Sequence, residues 1–333
     1  MSKIIEVDGL TKAYDPSTRV VDHVSFAVGE GEVFSLLGPN GAGKTTTIRM
    51  LTTLAAITEG SATVGGHDVK MDPRAVREII GVVPQEVTLD NELKGIENLL
   101  LAAKLQHVPG SAARKRAMDL LKLVELDGFS DKRVGTYSGG MKRRLQLVAA
   151  LVHMPRILFL DEPTVGLDVQ TRTKIWDYIT RLNKEQGVTI FMTTHYLEEA
   201  DRLSDVVAIM DRGTIKLEGT PGELKNTLNG DVLTITVADG GEDLTGFLKS
   251  IPHVTEVTRN DASYRLKLPK VESALPEIIT TVASKGLRIT ETSFTKPTLD
   301  QVFLEITGRS MRDADESNNH RDSHASVRAR ENR

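Results

Sequence analysis

The chain has 333 residues, room for one large domain and a small second one, and its 39% hydrophobic and 26% charged composition is that of a folded globular protein. Lys and Arg number 42 against 46 Asp and Glu, so a net charge of -4 offers no broad positive field and nucleic acid is not an expected partner. Cysteine is absent, which excludes disulfides and thiol chemistry; no stretch reaches the roughly 18 apolar residues that cross a bilayer, so a cytoplasmic location is expected.

In chain order, short β-branched runs at 4–7, 20–26 and 33–37 lie between Gly, Asp and Pro and predict strands. The third leads into Gly38-Pro39-Asn40-Gly41-Ala42-Gly43-Lys44-Thr45, with Thr46 next and Ile48, Met50 and Leu51 continuing as a helix. Strand, glycine-rich loop and helix in this order make a phosphate loop: glycine lets backbone N–H groups turn inward around a polyphosphate, and the helix N-terminus adds partial positive charge. Lys44 is then expected to reach the β- and γ-phosphates, and the Thr45 hydroxyl to ligate Mg²⁺.

A strand at 80–83 follows. From about 86 to 154 the pattern turns helical, with Met118, Leu121 and Val124, then Leu145, Val148 and Leu151, at helical spacing, which predicts an inserted helical lobe. Within it Ser138-Gly139-Gly140 opens a basic helical segment, either a second anion site or a simple helix cap. The apolar run 157–160 ends in Asp161-Glu162, the way a buried strand delivers acids to the end of a parallel sheet. Asp161 is placed to hold Mg²⁺ and Glu162 to polarise a water that attacks phosphorus. Strands at 188–193 and 206–210 complete an alternation that predicts a mainly parallel sheet covered by helices.

The chain restarts near 230 as strand 232–237, helix 244–250, strands 254–258 and 264–268, helix 272–285, strand 287–294 and helix 299–306, an order that fits a small α+β ferredoxin-like domain. No cluster of titratable residues marks a site there, so assembly is its expected role ahead of ligand sensing. Beyond 309 apolar residues nearly vanish, and a disordered polar tail is expected. The expected domains are 1–228, 229–308 and the tail 309–333.

The phosphate loop, Gln85, Tyr137-Ser138-Gly139-Gly140-Met141, Asp161-Glu162-Pro163, Gly166-Leu167-Asp168 and His195, in that order, resemble the motif set of an ABC-type ATPase over about residues 3–228. The resemblance implies an α/β P-loop NTPase fold, a mixed sheet plus the helical lobe, with ATP and Mg²⁺ as ligands. It implies that Tyr14 stacks on adenine, with a strand-edge core aromatic as the alternative. It implies that Gln85 touches Mg²⁺ and the attacking water, that His195 contacts the γ-phosphate and fixes Glu162, and that Asp168 communicates across a dimer. Lys44, Gln85, Glu162 and His195 are thus the candidate catalytic residues. The position of Met141 is commonly Gln in the family; the three phosphate-facing residues Ser138, Gly139 and Gly140 are kept, so activity is expected to survive.

In the family one chain's signature closes over ATP held by another's phosphate loop. One of each per chain therefore implies a homodimer. The Tyr-Ser-Gly-Gly-Met-Lys-Arg-Arg form at 137–144 and the stretch 297–308 resemble the daunorubicin-resistance-type exporters. That implies efflux of a hydrophobic drug or antibiotic through a separate membrane subunit of about six helices of roughly 20 residues each, with the ATPase peripheral on the cytoplasmic face. Export of lipid or polysaccharide, and a soluble ATPase acting on nucleic acid or ribosomes, are the alternatives.

Overall fold

The computed structural model describes residues 2–15, 18–228, 230–238, 243–260, 263–311 and 313. It divides into two compact units, Met1–Thr220 with Met311–Arg333, and Pro221–Ser310. The division falls at 220/221 rather than at 228/229 because a short helix beginning at Pro221 packs on the last helix of the second unit. The expected tail lies outside the described residues except for 309–311 and 313.

In the first unit β1 (Lys3–Asp15) and β2 (Thr18–Gly29) pair antiparallel, and β3 (Val33–Leu37) leads into α1 (Lys44–Leu51). β4 (Glu59–Val64), β5 (His67–Asp68), α2 (Pro73–Ile79) and β6 (Ile80–Val83) follow. The helical lobe comprises α3 (Gly95–Leu105), α4 (Gly110–Leu123) and α5 (Gly139–Ala149). The chain returns through β7 (Ile157–Asp161), α6 (Val169–Gln186), β8 (Thr189–Thr194), α7 (Leu197–Leu203), β9 (Val206–Asp211) and β10 (Thr214–Gly219).

One sheet has the order β10-β9-β3-β8-β7-β6, parallel except for the edge strand β10; the other, β2-β1-β4-β5, is antiparallel. Successive side chains of a strand point to opposite faces, and the parallel strands use both. Leu158, Leu160, Ile190 and Met192 join Leu99, Leu121, Leu145 and Val148 of the helical lobe. Ile157, Phe159 and Phe191 face the other way, onto Phe26, Phe34 and Ile48. There Phe34 stacks on Phe26 at 5.0 Å and on Phe191 at 5.4 Å. Burial of each such side chain stabilises by about 1.5–3 kcal/mol, so the strands that carry the acids are held from both sides. β4 had no sequence signal because its first three residues, Glu59, Gly60 and Ser61, are exposed and do not alternate.

The second unit contains α8 (Pro221–Asn226), β11 (Asp231–Ala238), α9 (Thr245–Lys249), β12 (Glu256–Asn260), β13 (Ser263–Leu268), α10 (Val271–Ser284), β14 (Arg288–Thr295) and α11 (Leu299–Thr307). Its antiparallel sheet, β12-β13-β11-β14, has the ferredoxin-like order. Leu233, Ile235, Tyr264 and Leu266 of the sheet pack on Leu248 of α9 and on Ala274, Ile278 and Val282 of α10. A reciprocal cap between Thr298 and Gln301 opens α11 and Gly308, at φ 73°, closes it.

Candidate functional site

The loop after β3 is glycine because its own surroundings require it. A Cβ on Gly38 would overlap the carbonyl oxygen of Met210. One on Gly43 would meet the Val20 oxygen at 2.7 Å, and Gly43 also sits at φ 106°, closed to residues with side chains. Gly38 N donates to Thr194 O (3.2 Å) and Gly213 N to Ala42 O (3.0 Å), which pins the loop between β8 and the β9–β10 turn. Pro39 and Ala42 are buried, whereas Asn40 and Gly41 are exposed and Thr46 is half-buried.

The parallel sheet brings Lys44, Thr45, Asp161, Glu162 and His195 together at the C-terminal ends of β3, β7 and β8, where ligands bind in open α/β sheets. Lys44 Nζ, buried, donates to Gly38 O (2.6 Å) and Pro39 O (3.0 Å) and pairs with Glu162 Oε1 (3.0 Å). His195 Nδ1 lies 2.7 Å from the other carboxylate oxygen of Glu162, and the His195 amide donates to it at 3.3 Å. Asp161 Oδ1 accepts from the hydroxyls of Thr193 (2.6 Å) and Thr45 (3.0 Å).

Electrostatics divide the two acids. Burial raises both, but in Glu162 His195 and Lys44 outweigh it, so its carboxyl falls below the ordinary value and stays ionised. Burial also dominates at Asp161, where two hydroxyls only partly offset it and the carboxyl is raised; a cation placed against it would relieve that cost. Glu162 further adopts φ 48°, a left-handed conformation that costs a residue with a side chain roughly 1–3 kcal/mol and clusters at functional sites.

The remaining candidates stand on other segments. Tyr14, at the end of β1, is 61% exposed with Lys12 Nζ 4.9 Å above its ring, so it is no core aromatic. Gln85 is exposed. Ser138 caps α5 by accepting from Met141 N (3.2 Å), with Gly139 exposed beside it. Asp168 caps α6, accepting from Thr171 N (3.0 Å) and its hydroxyl (2.7 Å), and these bonds hold its carboxyl below the ordinary value. The same Thr171 side chain stands against Gly140, where a Cβ would clash with it. Met141 packs on the apolar core of the helical lobe, which accounts for a nonpolar residue at that place.

Two buried residues behind the acids had no sequence signal. Arg143 of α5, 5% exposed, donates to the main-chain oxygens of Pro163 (2.6 Å), Glu162 (3.0 Å), Asp161 (3.2 Å), Pro84 (2.7 Å) and Gln85 (3.4 Å), and to Gln146 Oε1 (2.9 Å). Burial takes its guanidinium down to about 10, still charged at neutral pH, with Asp161, Glu199 and Glu162 opposing the shift. Glu199 of α7 is fully buried, and its Oε1 accepts from Thr164 Oγ1 (2.8 Å) and Trp176 Nε1 (2.9 Å); burial raises its carboxyl. A spacing rule finds neither, because their partners are main-chain oxygens or side chains distant in sequence.

Known protein families match both units of the chain. The ABC transporter family matches residues 21–165, and the C-terminal domain family of DrrA1-3-like ATP-binding proteins matches 219–307. The chain is 40% identical over 308 residues to the daunorubicin resistance ATP-binding protein DrrA2 of Streptomyces coeruleorubidus, covering 91% of this chain and 95% of that one. It is 36% identical over 313 residues to the linearmycin resistance ATP-binding protein LnrL of Bacillus subtilis, covering 93% and 100%. Among solved structures, the CbiO1 component of an ABC transporter complex from Clostridium perfringens aligns with a TM-score of 0.63 at 28% identity, over 67% of this chain and 91% of that one. A dimeric ATP-binding cassette in a post-hydrolysis state with ADP and phosphate aligns with a TM-score of 0.60 at 28% identity, over 65% and 98%. The chain belongs to the ATP-hydrolysing, ATP-binding subunits of ABC transporters, in the group that carries a DrrA-like C-terminal domain.

Proposed function

We propose that the chain powers efflux of a hydrophobic drug or antibiotic through a separate membrane subunit, two copies closing on two ATP molecules and parting after hydrolysis. The observation that carries the catalytic part is the convergence of Lys44, Thr45, Asp161, Glu162 and His195 at one end of the sheet. The cargo class rests on the resistance proteins that match the chain nearly end to end. Among the described residues no helix is long and apolar enough to cross a membrane, which supports a cargo path in a separate polypeptide, of about six spanning helices by family likeness. On this reading the chain works at the cytoplasmic face of the membrane.

ATP lies along the phosphate loop, with adenine against Tyr14 and phosphate oxygens receiving the loop amides and Lys44. Thr45, Asp161 and Gln85 would hold Mg²⁺. Mg²⁺ is usually held by one or two carboxylates plus substrate phosphates, and Asp161 beside Thr45 offers such a carboxylate. Bound there, it would neutralise charge on the phosphates. Glu162, kept ionised, polarises a water that attacks the γ-phosphorus; the bond to the bridging oxygen of ADP breaks in line, and the water's proton leaves through Glu162 to solvent. His195 holds the far oxygen of Glu162.

The signature completes the other wall of the site from a second chain, with Ser138 and the amides of Gly139 and Gly140 supplying donors to the γ-phosphate. The Pro221–Ser310 unit serves assembly with the membrane subunit.

The test is transport. Co-expressed with a multi-span membrane partner, the chain should lower cellular accumulation of an anthracycline, and Lys44→Ala should abolish both this and phosphate release. Normal efflux by the Lys44→Ala chain would overturn the proposal.

A further inference from the structure

Arg143 touches three functional segments at once. It stands on the signature helix α5, three residues beyond Gly140. Through Nη1 it holds the carbonyls of Pro84 and Gln85, and through Nε and Nη2 those of Asp161, Glu162 and Pro163. Its neighbour Gln146 extends the clamp by donating to Glu86 O (2.7 Å) and accepting from Arg143 (2.9 Å).

A planar guanidinium has donors on two edges in fixed directions and can serve carbonyls converging from different loops; an ammonium cannot reproduce that fork. The turn it grips includes Glu162 in its left-handed conformation, a backbone state that persists only where its surroundings over-determine it. Arg143 holds Glu162 through its main-chain oxygen, while the carboxylate oxygens are taken by Lys44 and His195.

We propose that Arg143 is a positioning residue for hydrolysis: it ties the Gln85 segment and the Asp161–Glu162–Pro163 turn to the signature helix, so that Glu162 is aimed only while the helical lobe is seated against the sheet. Movement of the Gln85 segment, or of the signature as it meets a second chain, is then felt at the backbone of the acid. This rests on Glu162 being the residue that polarises water. A misplacement of about 1 Å at such a group costs on the order of 100-fold in rate.

The experiment compares Arg143→Lys, Arg143→Ala and Glu162→Gln in the full-length chain, reading steady-state ATP hydrolysis, affinity for a fluorescent ATP analogue, and melting temperature. Arg143→Lys should lower kcat by about 10- to 100-fold with analogue affinity within about 3-fold of the parent. Arg143→Ala should lose at least as much, and added methylguanidinium, but not methylammonium, should restore part of its kcat. A strut that merely supports the fold predicts instead that kcat, affinity and melting temperature fall together without selective rescue, and that result overturns the proposal. Should Arg143→Ala fail to fold, Arg143→Lys decides alone by its split between kcat and affinity. Parental hydrolysis by both Arg143 variants beside an inactive Glu162→Gln rejects the positioning role and leaves the base intact. Parental hydrolysis by Glu162→Gln rejects the base itself.

Discussion

The phosphate loop and the signature both carry glycines at the start of a helix, yet their glycines answer to different neighbours. Gly38 and Gly43 are pressed by the chain's own backbone, at Met210 and Val20, so their identity is settled within one molecule. Gly139 has no atom within 4 Å of where its Cβ would stand, and the Ser138 beside it is exposed. Gly140, next to it, is crowded only by the side chain of Thr171. Gly38 and Gly43 are thus constrained by folding, whereas the open Gly139 supports the proposed site shared between two copies.

The contrast can be broken most severely at Glu162. Glu162→Gln keeps the phosphate loop and so keeps ATP, but phosphate release should fall by roughly 10²–10⁴-fold, and with ATP uncleaved the two copies should remain joined. Size-exclusion chromatography with ATP checks this: an entirely monomeric profile would show that the exposed signature does not meet a second chain. The two glycines should then part company. Gly38→Ala should lose ATP binding and about 1–3 kcal/mol of stability through overpacking against the Met210 carbonyl. Gly139→Ala should leave melting temperature and binding unchanged while lowering hydrolysis. Equal melting losses in both would erase the distinction.

A third test probes how firmly the phosphate side is built from within. Glu199→Leu should cost about 1–3 kcal/mol by leaving Thr164 and Trp176 unpaired, whereas Glu199→Gln should keep both bonds. Burial raises the Glu199 carboxyl above its ordinary 4.5. Its contribution to stability is therefore complete below that value and is lost as pH rises through the folded-state value, because the native state then binds the extra proton. Thermal unfolding across pH should accordingly show a smaller decline for Glu199→Gln than for the parent. The smallest effect is expected at Tyr14, where Tyr14→Ala should weaken ATP binding by about 0.5–1.5 kcal/mol, about 2- to 13-fold, with little change in kcat. A large fall in melting temperature instead would make the ring structural.

Much of this was legible in the sequence. The parallel strands are apolar runs ended by chemistry, so 33–37, 157–160 and 188–193 could be read with the residues they deliver. In the second unit β12 begins at Glu256 rather than at 254, because Val254 is buried in the turn before it and the strand itself is mostly exposed. β4, β5 and β10 were missed because edge and hairpin strands with exposed polar residues do not stand out from loops. Arg143 falls in the basic helical segment, as one of Lys142-Arg143-Arg144, and nothing singles it out there, since carbonyl partners leave no mark in sequence. Met141, a departure from the family's usual Gln, is explained by the lobe's core behind it.

The open space at Gly139 has a genetic consequence. In a dimer that shares its sites, a lesion at Lys44 spoils the site on its own chain, while a bulky lesion at Gly139 spoils the one on its partner. Two inactive alleles of these kinds, expressed together, would pair to leave one site whole and one doubly damaged. Such intragenic complementation is open only to a residue whose work is done on another molecule.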